Sequence, residues 1–236
     1  MRVIINHLTR MAPGFICVAG IDPTTGAHIR PTMRGRLSRE LLRENSGPFD
    51  IAGLVDLGEV TAEGVAPEIE DHVFRHWASR YMVTLTPDNF WTLLQRTARP
   101  TFTAIFGPDL EATGHTLSIA PGKGLASLGC LIPARQPHLA IEYGHSLRLL
   151  VSDGVHDLSL PVTDLRLYEA DHKTIRTQAV ADLNRRLLSS VTSILAVGLS
   201  RPFQKDGDAE PRHWLQVNSI HLEDHLIWQI GSTAGG

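Results

Sequence analysis

Short apolar segments, closed by glycine or proline turns, recur along nearly the whole chain. Many of their residues are β-branched, and several of the segments alternate apolar and polar side chains. In chain order they are RVIINHL, FICVAGI, AHIRPT, IAGLVDLGEV, HLAIEY, SLRLLVSD, HDLSLPV, VTSILAVGLSRPF and HWLQVNSIHL. Such spacing is typical of small barrels and sandwiches. The pattern predicts a mainly β chain of class α+β, with only a few helices.

Two longer segments have helical spacing instead. Residues 87–98 begin with Pro87 after a capping Thr86, and residues 173–190 repeat an apolar side chain on one face. Proline suits the first position of a helix because that position needs no amide donor. We expect a helix in each segment. A shorter helix, capped by Ser38, is expected within residues 35–45.

The chain has 236 residues, of which 42% are hydrophobic, and this is enough for two compact cores. Residues 107–129 contain five glycines and two prolines, which favours a boundary there. We therefore predict two lobes, residues 1–118 and 119–236. Each is expected to be an OB-like Greek-key barrel, the second carrying the amphipathic helix.

Charge composition restricts the partners of this chain. The formal net charge is −3 and the pI is about 6.4, which excludes a uniformly basic surface. Contact with nucleic acid would therefore need a local basic patch. No segment has the length and apolarity of a membrane span, and no cleavable signal is visible. We expect a cytoplasmic protein without membrane contact.

Arginines at two strand ends are the first candidates for ligand binding. Arg30 precedes Pro31, and Arg201 precedes Pro202, so in both places an arginine stands where proline stops further strand pairing. Guanidinium groups bind phosphate oxygens in pairs. The sequence therefore predicts phosphate binding by Arg30 and Arg201. Arg34, from the arginine series after Pro31, is a further candidate, although such a series can also be a solvated surface.

A tryptophan beside two amides is the second candidate. Trp214, Gln216 and Asn218 alternate along the last predicted strand, so their side chains share one face. Aromatic rings stack on bases and amides bond their edges. The three side chains are predicted to form a stacking and hydrogen-bonding surface for a ligand. The alternative is that Trp214 is a core residue.

No metal site or cofactor is predicted. Cys17 and Cys130 lie in apolar runs and are expected to pack as small hydrophobic residues, without a nearby ligand partner. The Glu-Asp-His sequence at residues 70–72 is more typical of a turn than of an ion site. An alternative class remains open, a metal-dependent nuclease or nucleotide hydrolase that uses His7, Asp56, Glu70 or His72.

The amino-terminal half resembles the dual OB-containing domain family. The order INHLTRM, GFICVAGID, AHIRPT, FDIAGLVDLGEV and EDH carries the resemblance. Its matching positions are Cys17, Ala19, Gly20, Arg30 and Pro31. In the second half, DLSLPVTDLRLY is similar to the family's Leu-Ser-x-Thr-Asp strand, with three residues between Ser159 and Thr163.

The resemblance implies two OB-like barrels that recognise nucleic acid or nucleotides, often in prokaryotic defence systems, and it implies no catalytic residue. His7, Thr9 and Arg10 stand where the family has an Asn-Ser-Arg/Lys cluster, which adds His7 and Arg10 to the predicted ligand contacts. We thus expect a nucleic-acid or nucleotide sensor. A protein-interaction subunit, with a protein as its partner, is the third alternative.

Overall fold

The protein is described by a computed structural model, which covers residues 1–189 and 191–225. The expected mainly β, α+β class is confirmed, since strands hold 42% and helices 18% of the residues and a sheet curls into a half-barrel. Ser190, at the end of the predicted second helix, and residues 226–236 of the predicted second lobe lie outside the described residues.

The first half of the chain forms an eight-stranded sheet. Its strands are β1 (Arg2–Arg10), β2 (Phe15–Ile21), β3 (His28–Thr32), β4 (Leu37–Ser38), β5 (Gly53–Asp56), β6 (Val60–Ala62), β7 (Asp71–Phe74) and β8 (Arg80–Thr84). Their order in the sheet is β6-β7-β3-β2-β1-β5-β8, and β4 pairs with β2. The pair β3–β7 is parallel, and its register sets Arg30 opposite Asp71.

The second half forms a five-stranded sheet and a three-stranded sheet. The strands are β9 (Glu111–Thr113), β10 (Thr116–Ile119), β11 (Leu128–Leu131), β12 (His138–Glu142), β13 (Ser146–Ser152), β14 (Asp157–Pro161), β15 (Ser193–Leu199) and β16 (His213–Leu222). The strand orders are β11-β15-β16-β10-β9 and β12-β13-β14. Both sheets are antiparallel. The sequence-predicted strands of this half are all present.

The helices are α1 (Pro87–Thr97), α2 (Phe102–Phe106) and α3 (Thr177–Leu188). The first and third confirm the two predicted helices. α3 begins later than predicted because the carboxylate of Asp171 accepts hydrogen bonds from the backbone of Lys173 and Thr174, which holds those residues in a turn.

The helix expected in residues 35–45 is replaced by two 3-10 turns, Arg39–Leu41 and Arg43–Asn45. The predicted cap is present, since the Ser38 hydroxyl accepts from the amide of Glu40. Leu42 between the turns is extended, so the segment never completes an α-helical turn. Two further 3-10 turns are His76–Ala78 and Leu165–Leu167.

Two hydrophobic cores divide the described part of the chain. One is built mainly from residues 3–94, with Ala98 packed against it, and the other begins at Phe102. The change therefore comes earlier than the predicted boundary at residue 118, because the hairpin β9–β10 pairs with β16 and belongs to the second core. Three residues from the second half of the chain pack into the first core, namely Cys130, Leu165 and Ile194.

Strand β1 joins the two cores. It pairs with β2 and β5 at its edges and also contacts β16. The amide of Leu8 donates to the Ser219 hydroxyl at 3.1 Å, and the amide of Arg10 donates to the carbonyl of Thr163 at 2.9 Å. Seven consecutive residues of β1 are therefore buried, although a one-sided strand would alternate.

Among the described residues, no helix combines the length and apolar character needed to cross a bilayer.

Candidate anion-binding cleft

A cleft of about 580 Å³ opens where the two cores meet. Its wall comes from the facing ends of β1 and β2, from β3 and the loop after it, and from β15, β16 and the loop between them. Four arginines line it, namely Arg10, Arg30, Arg36 and Arg201, and no aspartate or glutamate is among the described lining residues. The wall is therefore positive although the whole chain is acidic.

Arg30 and Arg201 converge in this cleft and share two carboxylates. Arg30 Nε donates to Asp71 Oδ1, and its Nη2 lies 3.8 Å from Glu68 Oε1. Arg201 Nη2 donates to Asp71 Oδ2 at 2.7 Å, and its Nη1 lies 2.8 Å from Glu68 Oε1. The two side-chain pairs balance in charge, so this group of four orients the guanidinium planes without adding net charge.

Exposure separates the two arginines. The side chain of Arg30 is 5% exposed and that of Arg201 is 51% exposed. Arg30 is fixed by the parallel register with β7, and its amide donates to the carbonyl of Glu70. The expected strand end at Arg30 is wrong, because Pro31 and Thr32 continue the pairing with β7. Arg201 stands in the loop after β15, where donors that the carboxylates leave unused remain accessible. A ligand in the cleft would therefore meet mainly Arg201.

Arg10 and Arg36 supply the net positive charge. Arg10 lies 4.0 Å from the centre of the Tyr168 ring and donates to the carbonyl of His172 at 2.8 Å. Arg36 lies 5.5 Å from the centre of the Phe15 ring. Neither forms an ion pair with any carboxylate in the described part of the chain. Aromatic contacts hold a guanidinium in place without neutralising it.

Amides from β16 complete the wall. Gln216 and Asn218 both line the cleft, while Trp214 of the same predicted strand face does not. Asn218 is held by Thr163 and by His7, whose Nδ1 lies 3.2 Å from Asn218 Nδ2. Gly198 on β15 makes room for this amide, since a Cβ there would lie 2.4 Å from Asn218 Nδ2. Gln216 makes no side-chain hydrogen bond within residues 1–189 and 191–225, and its amide is available to a ligand.

Three predicted ligand contacts lie outside the cleft wall. Trp214 is only 4% exposed, and Lys205 Nζ lies 3.2 Å from its ring centre, so its face is covered rather than open for stacking. Arg34 is exposed in the loop after β3, but Arg36 of the same loop is the arginine that lines the cleft. His7 is 1% exposed and lies behind Asn218.

Cys17 is a cleft residue that the sequence marked only as apolar packing. Burial raises the pKa of its thiol, while the charges of Arg30 and Arg201 lower it by smaller amounts. The raised pKa keeps the group a thiol near neutral pH, which makes it a weak nucleophile. Cys17 is therefore a neutral part of the wall.

The residues of the hydrolase alternative are each engaged separately. Both Glu70 oxygens accept from residues 127–128, and burial raises the pKa of this carboxyl. Asp56 accepts from the Gly58 amide and from Arg80, and His72 bonds the carbonyl of Glu70. Together these residues form no cluster of ligand atoms in the described part of the protein.

One expectation about the cysteines is wrong. Cys130 has ligand-type neighbours, because its sulfur lies within 4.8 Å of a ring nitrogen from both His7 and His28. These residues come from β11, β1 and β3, so no local spacing connects them. Their meeting follows from the packing of the second core's β11 against the first core.

A scan of protein-family models and a search of curated protein sequences found no match to this chain.

Proposed function

We propose that the cleft binds a phosphate-bearing ligand of nucleotide size, either a free nucleotide or a short stretch of nucleic acid. The observation that carries the proposal is the excess positive charge of the lining, which has four arginines and no acidic residue among the described lining residues. Asp71 and Glu68, outside the lining, balance only two of these charges. Anions are attracted to a concave surface of one charge sign, and charge-assisted bonds from guanidinium groups are strong.

The dimensions and polarity of the cleft support the same ligand. Small-molecule sites commonly have volumes of about 300–1,000 Å³, and this one has about 580 Å³. Gln216 offers a free amide beside the arginines, which suits the edge of a base. Arg201 and Arg10 would hold the phosphate, while Arg30 positions Arg201 through Asp71 and Glu68.

The resemblance to the dual OB-containing domain family is part of this proposal. Under it, the two cores correspond to two OB-like lobes of a cytoplasmic sensor, in a prokaryotic defence setting. Single-stranded nucleic acid commonly lies in a basic groove of an OB-fold. The position of the cleft between the two cores supports this assignment, because one ligand there contacts both halves of the chain.

Direct binding measurements test the proposal. Anisotropy with fluorescein-labelled oligo(U) and oligo(dT), and calorimetry with ATP, GMP and inorganic phosphate, separate RNA, DNA, nucleotide and simple anion. Arg10→Ala and Arg201→Ala should each weaken the strongest of these interactions by about 1–3 kcal/mol, roughly 5- to 150-fold. Affinity should also fall with added salt.

Arg135→Ala provides the matched control. Arg135 is an arginine outside the cleft, with a side chain 74% exposed, and its contact with Asp157 is 3.7 Å. Its loss should leave affinity unchanged. If none of the five probes binds, or if both cleft variants fold and bind as tightly as the parent, the proposal is wrong.

A further inference from the structure

We propose that His7, His28 and Cys130 form a zinc-binding site between the two cores, behind the cleft. One ligand atom from each residue lies within 4.8 Å of the others. The site is separate from the anion contacts, because His7 and Cys130 are not among the cleft's lining residues.

The donor set determines the metal. Two imidazoles and one thiolate suit zinc, whose sites with three protein ligands keep a fourth position for water or another ligand. Tetrahedral zinc needs its nitrogen and sulfur ligands about 3.4–3.7 Å apart, from bond lengths of about 2.0–2.3 Å. Cys130 Sγ already lies 3.7 Å from His28 Nε2.

An unpartnered buried nitrogen gives the second, independent observation. His7 is 1% exposed, and its Nε2 has no hydrogen-bond partner among the residues that the structure describes. Its Nδ1 faces the amide of Asn218 at 3.2 Å. With the amide turned so that its oxygen accepts from Nδ1–H, Nε2 carries a free lone pair for a metal. A buried polar atom without a partner is otherwise costly.

A strand irregularity places two side chains beside the same thiol. The pairing of β1 with β2 shifts register between Ile5 and His7, so Asn6 is an extra residue. Such a bulge re-aims neighbouring side chains that would otherwise point to opposite faces. Asn6 Nδ2 donates to Cys130 Sγ at 3.2 Å. This hydrogen bond would stabilise the thiolate that a metal requires.

Protonation states support imidazole binding and define the proton released. Burial is the main cause that lowers the pKa of His7 and lowers that of His28 to about 4, so both rings are neutral near pH 7. Burial raises the pKa of Cys130 to about 12. Binding therefore exchanges the thiol proton for the ion, forming one sulfur–zinc bond and releasing one proton to solvent.

Nearby charges oppose cation binding and limit the affinity. The charge of Arg30 lowers the pKa of His7, and the charge of Arg99 lowers the pKa of both His28 and Cys130. The thiolate formed on binding removes one of the two positive charges that zinc brings.

Cobalt titration of the untagged full chain tests the site, because cobalt(II) substitutes for zinc and reports its ligands. The expected result is a one-to-one complex with a sulfur-to-cobalt charge-transfer band and tetrahedral d–d bands, both abolished by zinc. The titration starts from protein stripped of metal with a chelator, and zinc added to the same stripped protein should bind one ion per chain. Cys130→Ala should remove the charge-transfer band, and Cys17→Ala, the matched control, should keep it.

Two further variants keep the test decisive if Cys130→Ala fails to fold. His28 is partly exposed, so His28→Ala should fold and should weaken cobalt binding by roughly tenfold or more. Arg201→Ala, which tests anion binding, should leave the cobalt spectrum unchanged. A folded parent protein without a charge-transfer band at saturating cobalt, or a band that disappears with Cys17, would overturn the proposal.

Discussion

Arg30 and Arg201 share the carboxylate of Asp71, Arg30 through Oδ1 and Arg201 through Oδ2. Glu68 lies near both guanidinium groups as well. The two arginines that the sequence singled out by their proline neighbours are thus one structural unit. Their exposures differ widely, and so their expected contributions to stability and to binding differ too.

Loss of Arg30 should cost more stability than loss of Arg201. Arg30→Met leaves the largely buried Asp71 and Glu68 with one partner fewer, and we expect the free energy of unfolding to fall by about 2–3 kcal/mol. Arg201→Met removes a half-exposed group and should cost less than about 1 kcal/mol. Urea unfolding of both variants measures the difference. Equal losses would show that burial of Arg30 has no energetic consequence.

Glu70 should act as a structural hydrogen-bond acceptor. Glu70 Oε1 accepts from the amides of Ser127 and Leu128 at 2.8 and 3.1 Å, and Oε2 accepts from the Ser127 hydroxyl at 2.7 Å. A glutamine can keep these bonds, with its amide donating to the hydroxyl. We expect Glu70→Gln to change the free energy of unfolding by less than about 1 kcal/mol, and Glu70→Ala to lower it by about 2–3 kcal/mol.

Chemical denaturation of the two Glu70 variants at neutral pH gives both values. The ionised carboxylate, rather than its hydrogen bonds, is essential if the glutamine variant is as unstable as the alanine variant.

His221 should make the fold sensitive to acid. Burial is the main cause that lowers the pKa of its ring from 6.5 to about 3, and the ring bonds the carbonyl of Asn6 at 2.9 Å. Below about pH 6.5 the unfolded chain binds a proton here that the folded chain does not. The stabilising contribution is therefore complete above that pH and falls as the pH drops toward 3.

For His221 alone, the loss between pH 7 and pH 5 should be about 2 kcal/mol. Unfolding of the parent and of His221→Gln at both pH values isolates the part of the stability loss that comes from His221. The control is His138→Gln, because His138 is exposed. If the parent and His221→Gln lose the same stability between these pH values, His221 is not the group responsible.

Local patterns predicted most of the elements correctly. Alternation and β-branched residues marked β1, β2 and β12 to β16, and Pro87 marked the start of α1. These signals depend on neighbours in the chain, which the sequence shows directly. The segment 35–45 failed because leucine spacing alone did not reveal that Leu42 is extended between two turns.

The amino-acid sequence by itself determined the mainly β class, the position of the two longer helices, and the unusual place of Arg30 and Arg201 before prolines. Only the tertiary structure decided that these arginines share Asp71, that Trp214 is covered, and that His7, His28 and Cys130 meet. The physical reason is that local periodicity specifies which face of a strand is buried, whereas strand order and the packing of the two cores determine which distant side chains come together.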